Sequence, residues 1–337
     1  MEASAGVAPI VHYREVAFMG IVSVVKNLGK LTRIGRQIQS AMRDFAPDVV
    51  IPVDYADFNF RFILPYAKKE LRCPVIYYIL PKLWAWRAGR IRQLRRYVDL
   101  GLSILPFETS YFSDRGLRTE YIGNPCVDAK LTYLTEHPET VEREQMLLLV
   151  PGSRQSELRD NLPEMLAATA AYSQLGWRVV IAGAPGLTAA DYAPYLGKYS
   201  DTPILFGDTY GLMCRAHAAL VTSGTATLEA GLWGIPMVVC YRMGGRRIAR
   251  LVFERLFRVP YFSLVNLILD RPAVPELLAD RAHSVQILSI LSHLIPEEDH
   301  RRTDQLQAFA QLQELMGTEP SAPRAARAIL SYLHEAR

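Results

Sequence analysis

The chain has 337 residues, of which 50% are hydrophobic and 21% are charged, and its formal net charge is +4. These values predict a folded protein with two cores, exclude a disordered chain and give no reason to expect a nucleic-acid partner. The four cysteines, Cys73, Cys126, Cys214 and Cys240, form no C-x-x-C pair, which indicates reduced thiols and not a disulfide framework. The histidine spacing predicts no metal site. No apolar run reaches the roughly 18 residues that a membrane span needs.

The first half of the chain alternates short apolar runs with helical patterns. Predicted strands lie at 47–53, 74–80 and 100–105, and predicted helices at 31–45, 58–71 and 87–97. This βαβ alternation predicts a doubly wound parallel sheet.

The second half repeats the pattern after a polar segment at 125–144, which is typical of a linker. A helix is expected near 160–174, and the remainder, 274–337, is expected to be entirely helical. Further strands are predicted at 145–150, 178–183, 203–206, 218–222 and 236–241. Two α/β domains in tandem are therefore expected to face a cleft. Ligands of such domains bind at the carboxyl ends of the strands.

Asp54 directly follows the first predicted strand. A carboxylate at this position is expected to be partly buried, which would raise its pKa toward that of a general base. The alternative is that Asp54 or Asp57 caps the next helix, and Asp57 fits that role better.

Two strand–loop–helix elements are candidates for phosphate binding. Gly152, Ser153 and Arg154, with Glu157 behind them, combine a close backbone approach, free helix N–H groups and a guanidinium. In the second element, carboxylate oxygens of Glu229 are placed to accept hydrogen bonds from ribose hydroxyls. Its small residues are Ser223, Gly224, Thr225, Ala226 and Thr227. Ordinary helix capping remains the alternative at both loops.

The sequence lacks the G-x-G-x-x-G and G-x-x-x-x-G-K-[ST] motifs and has no D-x-D pair after a strand. Leaving-group charge would then be met by Arg154, helix N-termini and other arginines in place of a metal. Basic clusters at 82–96 and 242–258 indicate phosphate or an anionic membrane surface, or else solvated helix faces. The apolar segment 18–28 fits a membrane interface or a core helix, and the basic residues nearby favour the membrane slightly.

Segments in one order along nearly the whole chain resemble the lipid-A-disaccharide synthase family. The most specific are W-A-W-R at 84–87 and L-P-F-E at 105–108. The others are M-G-I-V at 19–22, P-D-V at 47–49, Asp54 with D-F-N at 57–59, Y-Y at 77–78, P-K-L at 81–83, Y-I-G-N-P at 121–125, P-G-S-R at 151–154 with Glu157, S-G-T-A-T-L-E at 223–229, Y-R-M at 241–243, S-L-V-N at 263–266 and E-L-L at 276–278.

The resemblance implies an α/β fold of the GT-B type and an inverting, metal-independent glycosyl transfer. The donor would be UDP-2,3-diacylglucosamine, the acceptor 2,3-diacylglucosamine 1-phosphate, and no cofactor is expected. Asp54 would be the base. UDP would lie against the two loops, and Arg242, Asn266 and Glu276 would line the same cleft. The resemblance also implies a cytoplasmic protein attached peripherally to the inner membrane, and a homodimer is compatible with it.

Three domains are expected: an acceptor- and membrane-side domain at 1–130, a UDP-sugar domain at 140–300 and C-terminal helices at 301–337. The family's first strand, its G-E-x-S-G-D loop and its second βα unit have no counterpart before residue 19, so the N-terminal domain is expected to be incomplete. An impaired remnant that binds UDP-sugar or membrane is one alternative. An enzyme acting on a soluble UDP-sugar, such as an epimerase, is another.

Overall fold

A computed structural model of the chain describes residues 9–11, 28–139, 141–242 and 260–335. They form two compact units. Unit 1 comprises the described residues up to Ile122 and those from Ala325 onward, and unit 2 runs from Gly123 to Arg324. The predicted boundaries at 130 and 301 differ from this division. Residues 18–27 of the apolar segment and most of the basic cluster 242–258 lie outside the described residues.

Unit 1 contains a parallel sheet of three strands in the order β1-β2-β3 within the described part of the chain. The strands are β1 (Ile76–Tyr78), β2 (Leu100–Ser103) and β3 (Thr119–Tyr121). The helices are α1 (Leu28–Phe45), α2 (Ala56–Phe58, Asn59–Ile63, Leu64–Tyr66 and Ala67–Leu71 in continuous succession, the second and fourth segments being π-helical), α3 (Ile91–Tyr97) and α4 (Pro106–Ser113).

The predicted strand 47–53 is present only as two isolated parallel bridges, from Val50 to Val75 and from Val53 to Tyr78. Pro52 stands between the bridging residues and has no N–H to donate, which interrupts a ladder and suits a sheet edge. Its carbonyl still accepts a hydrogen bond of 2.8 Å from the Tyr78 N–H. The segment therefore runs beside β1 without forming a full strand.

Unit 2 contains a parallel sheet in the order β6-β5-β4-β7-β8-β9. Its strands are β4 (Met146–Val150), β5 (Arg178–Gly183), β6 (Ile204–Phe206), β7 (Ala218–Thr222), β8 (Met237–Tyr241) and β9 (Glu276–Leu278). Its helices are α5 (Pro125–Glu136), α6 (Gln155–Gln174), α7 (Ala189–Leu196), α8 (Thr209–Arg215), α9 (Thr225–Leu232), α10 (Leu264–Leu269), α11 (Ser284–Leu291) and α12 (His300–Met316), and α13 (Ser321–Glu335) continues into unit 1.

The central strands of unit 2 are buried because helices cover them. Residues of β4 and β5 such as Leu149 and Ile181 pack with Leu158 and Leu162 of α6 in one apolar core. Continuous apolar runs are what a sheet covered on both faces requires. Among the described residues, no helix is both long enough and apolar enough to cross a membrane.

Three details differ from the predictions. The predicted linker 125–144 contains α5, because the Asn124 side chain accepts a hydrogen bond of 2.9 Å from the Cys126 N–H and Pro125 occupies the first helical position. The expected all-helical segment 274–337 contains β9, which pairs with β8. Helix α6 begins at Gln155, ahead of the predicted start near 160.

Candidate functional site

The chain reverses its direction of winding in unit 2 between the neighbouring strands β4 and β7. From β4 it proceeds outward to β5 and β6, and it then returns to β7 and proceeds the other way to β8 and β9. Parallel α/β sheets bind ligands at such a switch point, outside the carboxyl ends of the strands. The two predicted phosphate loops follow β4 and β7, so the topology brings them to this position.

The loop after β4 is organised by Glu157. Gly152 has φ 111°, and a Cβ atom there would lie 2.6 Å from the Cβ atom of Glu157, so a side chain at this position is strongly disfavoured. The carboxylate accepts hydrogen bonds of 2.9 Å from the Ser153 N–H and of 2.9 Å from the Arg154 guanidinium. Arg154 is the N-cap residue of α6, and its side chain is half exposed. The alternative of ordinary capping by Ser153 does not hold, because the N-cap residue is Arg154 and no side chain caps it.

The loop after β7 is tied to the segment before α10. The Ser223 hydroxyl donates to the Phe262 carbonyl at 2.8 Å, and the Leu264 N–H donates to the Thr227 hydroxyl at 3.3 Å. Gly224 and Thr225 are exposed at the start of α9. The first N–H groups of a helix have no intrahelical partner. Thr227 and Ser223 therefore support the loop from within, while Gly224, Thr225 and Ala226 present its backbone.

Glu229 lies one turn into α9, and its Oε1 accepts a hydrogen bond of 2.8 Å from the Tyr210 hydroxyl. Burial raises the pKa of Tyr210, and the Glu229 carboxylate raises it further. The tyrosine therefore remains a neutral donor at physiological pH. No sequence motif indicated Tyr210, because it lies 19 positions earlier in the chain and on a different helix.

Asn266 and Glu276 form an internal network. The Glu276 carboxylate accepts from the Ser263 N–H at 2.8 Å and from the Asn266 amide at 2.9 Å. Asn266 is fully buried, and its side chain also exchanges hydrogen bonds of 2.9 and 2.8 Å with the Val274 backbone. Both residues were predicted to line a cleft. In the structure their polar groups are used to hold the loop that contacts Ser223.

Replacing Asn266 with alanine is expected to lower the free energy of unfolding of unit 2 by about 3 kcal/mol, since buried partners at Val274 and Glu276 lose their hydrogen bonds. Urea denaturation followed by circular dichroism measures the change. Gln311→Ala removes an exposed amide of α12 and is expected to change stability by less than about 0.5 kcal/mol. Equal effects of the two substitutions would contradict a structural role for Asn266.

Arg242 was also predicted to line the cleft. Its guanidinium pairs with Glu164 of α6, and its backbone N–H donates to the Asn161 side chain at 2.9 Å, while its place in the cleft stays a prediction. Glu164 in turn accepts from the Ser284 N–H at 2.7 Å. Arg242 thus links the end of β8 to α6 and α11, and Asn161 and Glu164, which carried no sequence signal, complete the link.

A cavity of about 480 Å³ in unit 2 is bordered by Asn266 and Glu276 together with Arg301 and Asp304 of α12. Its lining contains none of the residues of the loops after β4 and β7. The two phosphate-type loops therefore define a different place from this cavity. In the described part of the chain, no group of three or more His, Cys, Asp or Glu residues is arranged to hold a metal ion.

Asp54 in unit 1 has an unusual backbone. Asp54 and Tyr55 have φ angles of 42° and 40°, in the left-handed region that residues with side chains rarely adopt. Three hydrogen bonds hold this turn: the Asp54 N–H donates to Tyr78, and its carbonyl accepts from the Tyr77 hydroxyl at 2.6 Å and from the Asn59 amide at 2.7 Å. Strain of this kind persists where the surroundings enforce it, often at functional sites.

The Asp54 side chain is exposed in the structure, contrary to the expected partial burial. Asp57 is not the helix cap either, since α2 begins at Ala56 and Asp57 lies in its first turn. The Asp57 carboxylate pairs with Arg87 at 2.8 Å and with Arg90 at 2.5 Å. Two arginines of the basic cluster 82–96 are thereby engaged within unit 1.

The two most specific motifs of the sequence meet in unit 1. The Trp84 indole donates to the Glu108 carboxylate at 3.0 Å, and its ring lies edge-on to Phe107 at 5.0 Å. Glu108 also accepts from the Leu105 N–H at 3.3 Å and so caps α4. Burial raises the pKa of Glu108 to about 7, although the Trp84 and Leu105 hydrogen bonds lower it.

This buried carboxyl predicts a pH-dependent stability. The pKa of Glu108 in the folded protein lies above its ordinary value, so folding favours the neutral carboxyl. Its contribution to the free energy of unfolding is complete at low pH and is lost as the pH rises through about 7. Relative to wild type, Glu108→Gln is expected to gain up to about 3 kcal/mol of unfolding free energy between pH 5 and pH 8. Trp84→Phe removes a hydrogen bond that lowers the pKa of Glu108, so this variant should lose stability at a higher pH than wild type does. Denaturation curves with a constant difference across this range would refute the prediction.

Comparison with known proteins identifies the family. The family model described as lipid-A-disaccharide synthetase matches residues 1–329. Solved structures with this arrangement include that of S. aureus MnaA with UDP, which has a TM-score of 0.64 at 13% identity and covers 99% of this chain and 86% of that one. This likeness confirms the expected α/β fold with parallel sheets of the GT-B kind.

Relatives in sequence are closer. A lipid-A-disaccharide synthase of Myxococcus xanthus is 35% identical, and the alignment covers 99% of this chain and 88% of the relative. One of Acidobacterium capsulatum is 32% identical, with 94% and 82% covered. The expected absence of the family's first elements stays a prediction. The chain belongs to the lipid-A-disaccharide synthetase family, whose substrates are lipid A precursors.

Proposed function

We propose that unit 2 binds the UDP moiety of UDP-2,3-diacylglucosamine at the loops after β4 and β7, in the family's condensation of two diacylglucosamine units. The meeting of these loops at the switch point of the sheet carries the proposal. The acceptor is 2,3-diacylglucosamine 1-phosphate, and the products are the β-1,6-linked disaccharide 1-phosphate and UDP.

Negative charge develops on the leaving diphosphate. It is stabilised by the N-termini of α6 and α9 and by the Arg154 side chain. Helix N-termini carry partial positive charge and unpaired N–H groups. Arg154 gives one hydrogen bond to Glu157, but a guanidinium has five N–H donors, so the others remain for phosphate. These donors are positioned before the substrate arrives, and no metal ion is needed for this role.

Asp54 acts as the base in unit 1. Inversion requires the acceptor hydroxyl to attack the anomeric carbon from the face opposite UDP while a carboxylate takes its proton. The Asp54 side chain is exposed, and the hydrogen bonds from Tyr77 and Asn59 fix its backbone. Tyr77 and Asn59 are thus positioning residues for the base.

The acyl chains of both substrates place the reaction at a membrane surface. The basic cluster 82–96 would attract an anionic leaflet, since several of its arginines remain exposed. We therefore propose a cytoplasmic protein peripherally bound to the inner membrane. A homodimer is a further proposal, which sedimentation of the purified chain tests.

Disaccharide formation by the purified chain tests the proposed function. The chain is incubated with UDP-diacylglucosamine and diacylglucosamine 1-phosphate in mixed micelles, and one UDP is expected per disaccharide formed. UDP binding without any disaccharide would favour the inactive remnant instead. Turnover of unacylated UDP-N-acetylglucosamine alone would favour an epimerase.

A further inference from the structure

Among the described residues, only Tyr210 donates a side-chain hydrogen bond to the Glu229 carboxylate. The Tyr210 hydroxyl donates to Oε1 of Glu229, and no described residue donates to Oε2. A carboxylate offers about four acceptor positions, so Glu229 keeps room for further donors. One oxygen is held and the other is open, which is the arrangement that a positioned ligand-binding carboxylate requires.

The Tyr210 ring is itself fixed. It packs against Trp233, the residue that follows α9, with ring centroids 5.8 Å apart, and against Tyr133 of α5 at 5.9 Å. Its helix, α8, is held at its start by Asp208, which accepts from the Gly211 N–H at 3.1 Å and pairs with Arg215 at 3.0 Å. The phenol therefore reaches Glu229 from a packed aromatic cluster, defined here as Tyr133, Tyr210 and Trp233.

The chemistry of Glu229 matches a vicinal diol. Two neighbouring hydroxyl groups donate to a carboxylate, and the match depends on the rotation of the carboxylate about its final bond. An unsupported glutamate loses rotamer freedom when it binds. The Tyr210 hydrogen bond restricts the Glu229 side chain before the nucleotide binds. The ribose hydroxyls can then donate to the acceptor positions that Tyr210 does not use.

We propose that Tyr210 is a positioning residue that orients the Glu229 carboxylate toward the ribose diol of the bound UDP moiety. The inference rests on the proposed function, because it needs UDP to lie at the loop after β7. Tyr210 contacts no reacting atom, so it contributes to donor affinity and not to the chemical step.

The test compares UDP with 2′,3′-dideoxyuridine diphosphate, which lacks the diol. In Tyr210→Phe the Kd for UDP is expected to rise about tenfold, as expected for the loss of one hydrogen bond to a charged group. The Kd for the dideoxy nucleotide should equal that of wild type. In the transferase assay the donor KM rises and kcat stays the same. Isothermal titration calorimetry gives both dissociation constants.

Tyr133→Phe is the matched control, since it removes a hydroxyl from the same aromatic cluster and should leave both constants unchanged. Equal weakening of both nucleotides by Tyr210→Phe would overturn the inference, because a merely structural role has that signature. No weakening of either would overturn it as well. Glu229→Gln distinguishes the ribose contact of Glu229 from the positioning role of Tyr210. If this variant binds UDP as wild type does, the proposed ribose contact is wrong. If Glu229→Gln weakens UDP and Tyr210→Phe does not, only the positioning role fails.

Discussion

Asp54→Asn is expected to lower kcat for disaccharide formation by about 10²- to 10⁴-fold, the range that a positioned general base contributes. The amide keeps the size and shape of the side chain but takes no proton. The backbone hydrogen bonds to Tyr77 and Asn59 involve the carbonyl of residue 54 and are unaffected. The donor KM should therefore change little. Initial rates with both lipid substrates in mixed micelles measure the two parameters.

Asp57→Asn is the matched control, because it neutralises a carboxylate three residues away on the same segment. It weakens the pairs with Arg87 and Arg90, whose partner carboxylate is largely exposed, so stability should fall by less than about 1 kcal/mol. Its kcat should stay near that of wild type. A loss of kcat in Asp57→Asn as large as in Asp54→Asn would show that the loss reflects distortion of α2 and would remove the case for Asp54 as the base.

Arg154→Gln is expected to reduce kcat/KM by about 10²- to 10³-fold, as removal of one preorganised donor to developing charge does. Glutamine keeps a hydrogen-bonding group near Glu157 and preserves the N-terminus of α6, so folding should be intact. The Kd for UDP should rise less than kcat/KM falls, because charge on the diphosphate grows as the glycosidic bond breaks. Calorimetry and initial rates on one preparation give both values.

Arg159→Gln removes a guanidinium from the same helix. Arg159 is exposed and pairs with its neighbour Asp160. Its loss should leave UDP affinity and kcat/KM nearly unchanged. If both substitutions reduce UDP affinity equally, the effect is one of general surface charge, and Arg154 has no specific place in the site.

The strands that the sequence predicted best are those buried on both faces. The predictions 178–183 and 218–222 coincide with β5 and β7, because continuous apolar runs are typical of central parallel strands. Short strands at the periphery carry too little pattern. β9 has three residues, begins with Glu276 and follows Pro275, so nothing in its composition separates it from a helix or a loop.

The two loops of the candidate site were predictable because a glycine between a strand and a helix is a local signal. The contacts of Asn266, Glu276 and Arg242 were not, since each is made with residues beyond the next helical turn, 8 positions away for Asn266 and 78 for Arg242. Asn266 looks like an ordinary polar helix residue, and only the fold shows that its amide is buried against Val274. The strained turn at Asp54 was equally invisible, because neither Asp54 nor Tyr55 is a glycine.

The division of unit 1 into two segments has a consequence for the order in which the protein is made. Ile76, Leu100 and Leu102 form an apolar cluster with Ala325 and Ala328 of α13. The ribosome delivers those alanines only after the whole of unit 2 has been synthesised. Unit 1 therefore cannot complete its core until synthesis is nearly finished. Unit 2 is a continuous segment and can fold first. A frameshift shortly before residue 325 would leave unit 2 nearly complete and damage unit 1, the one encoded earlier.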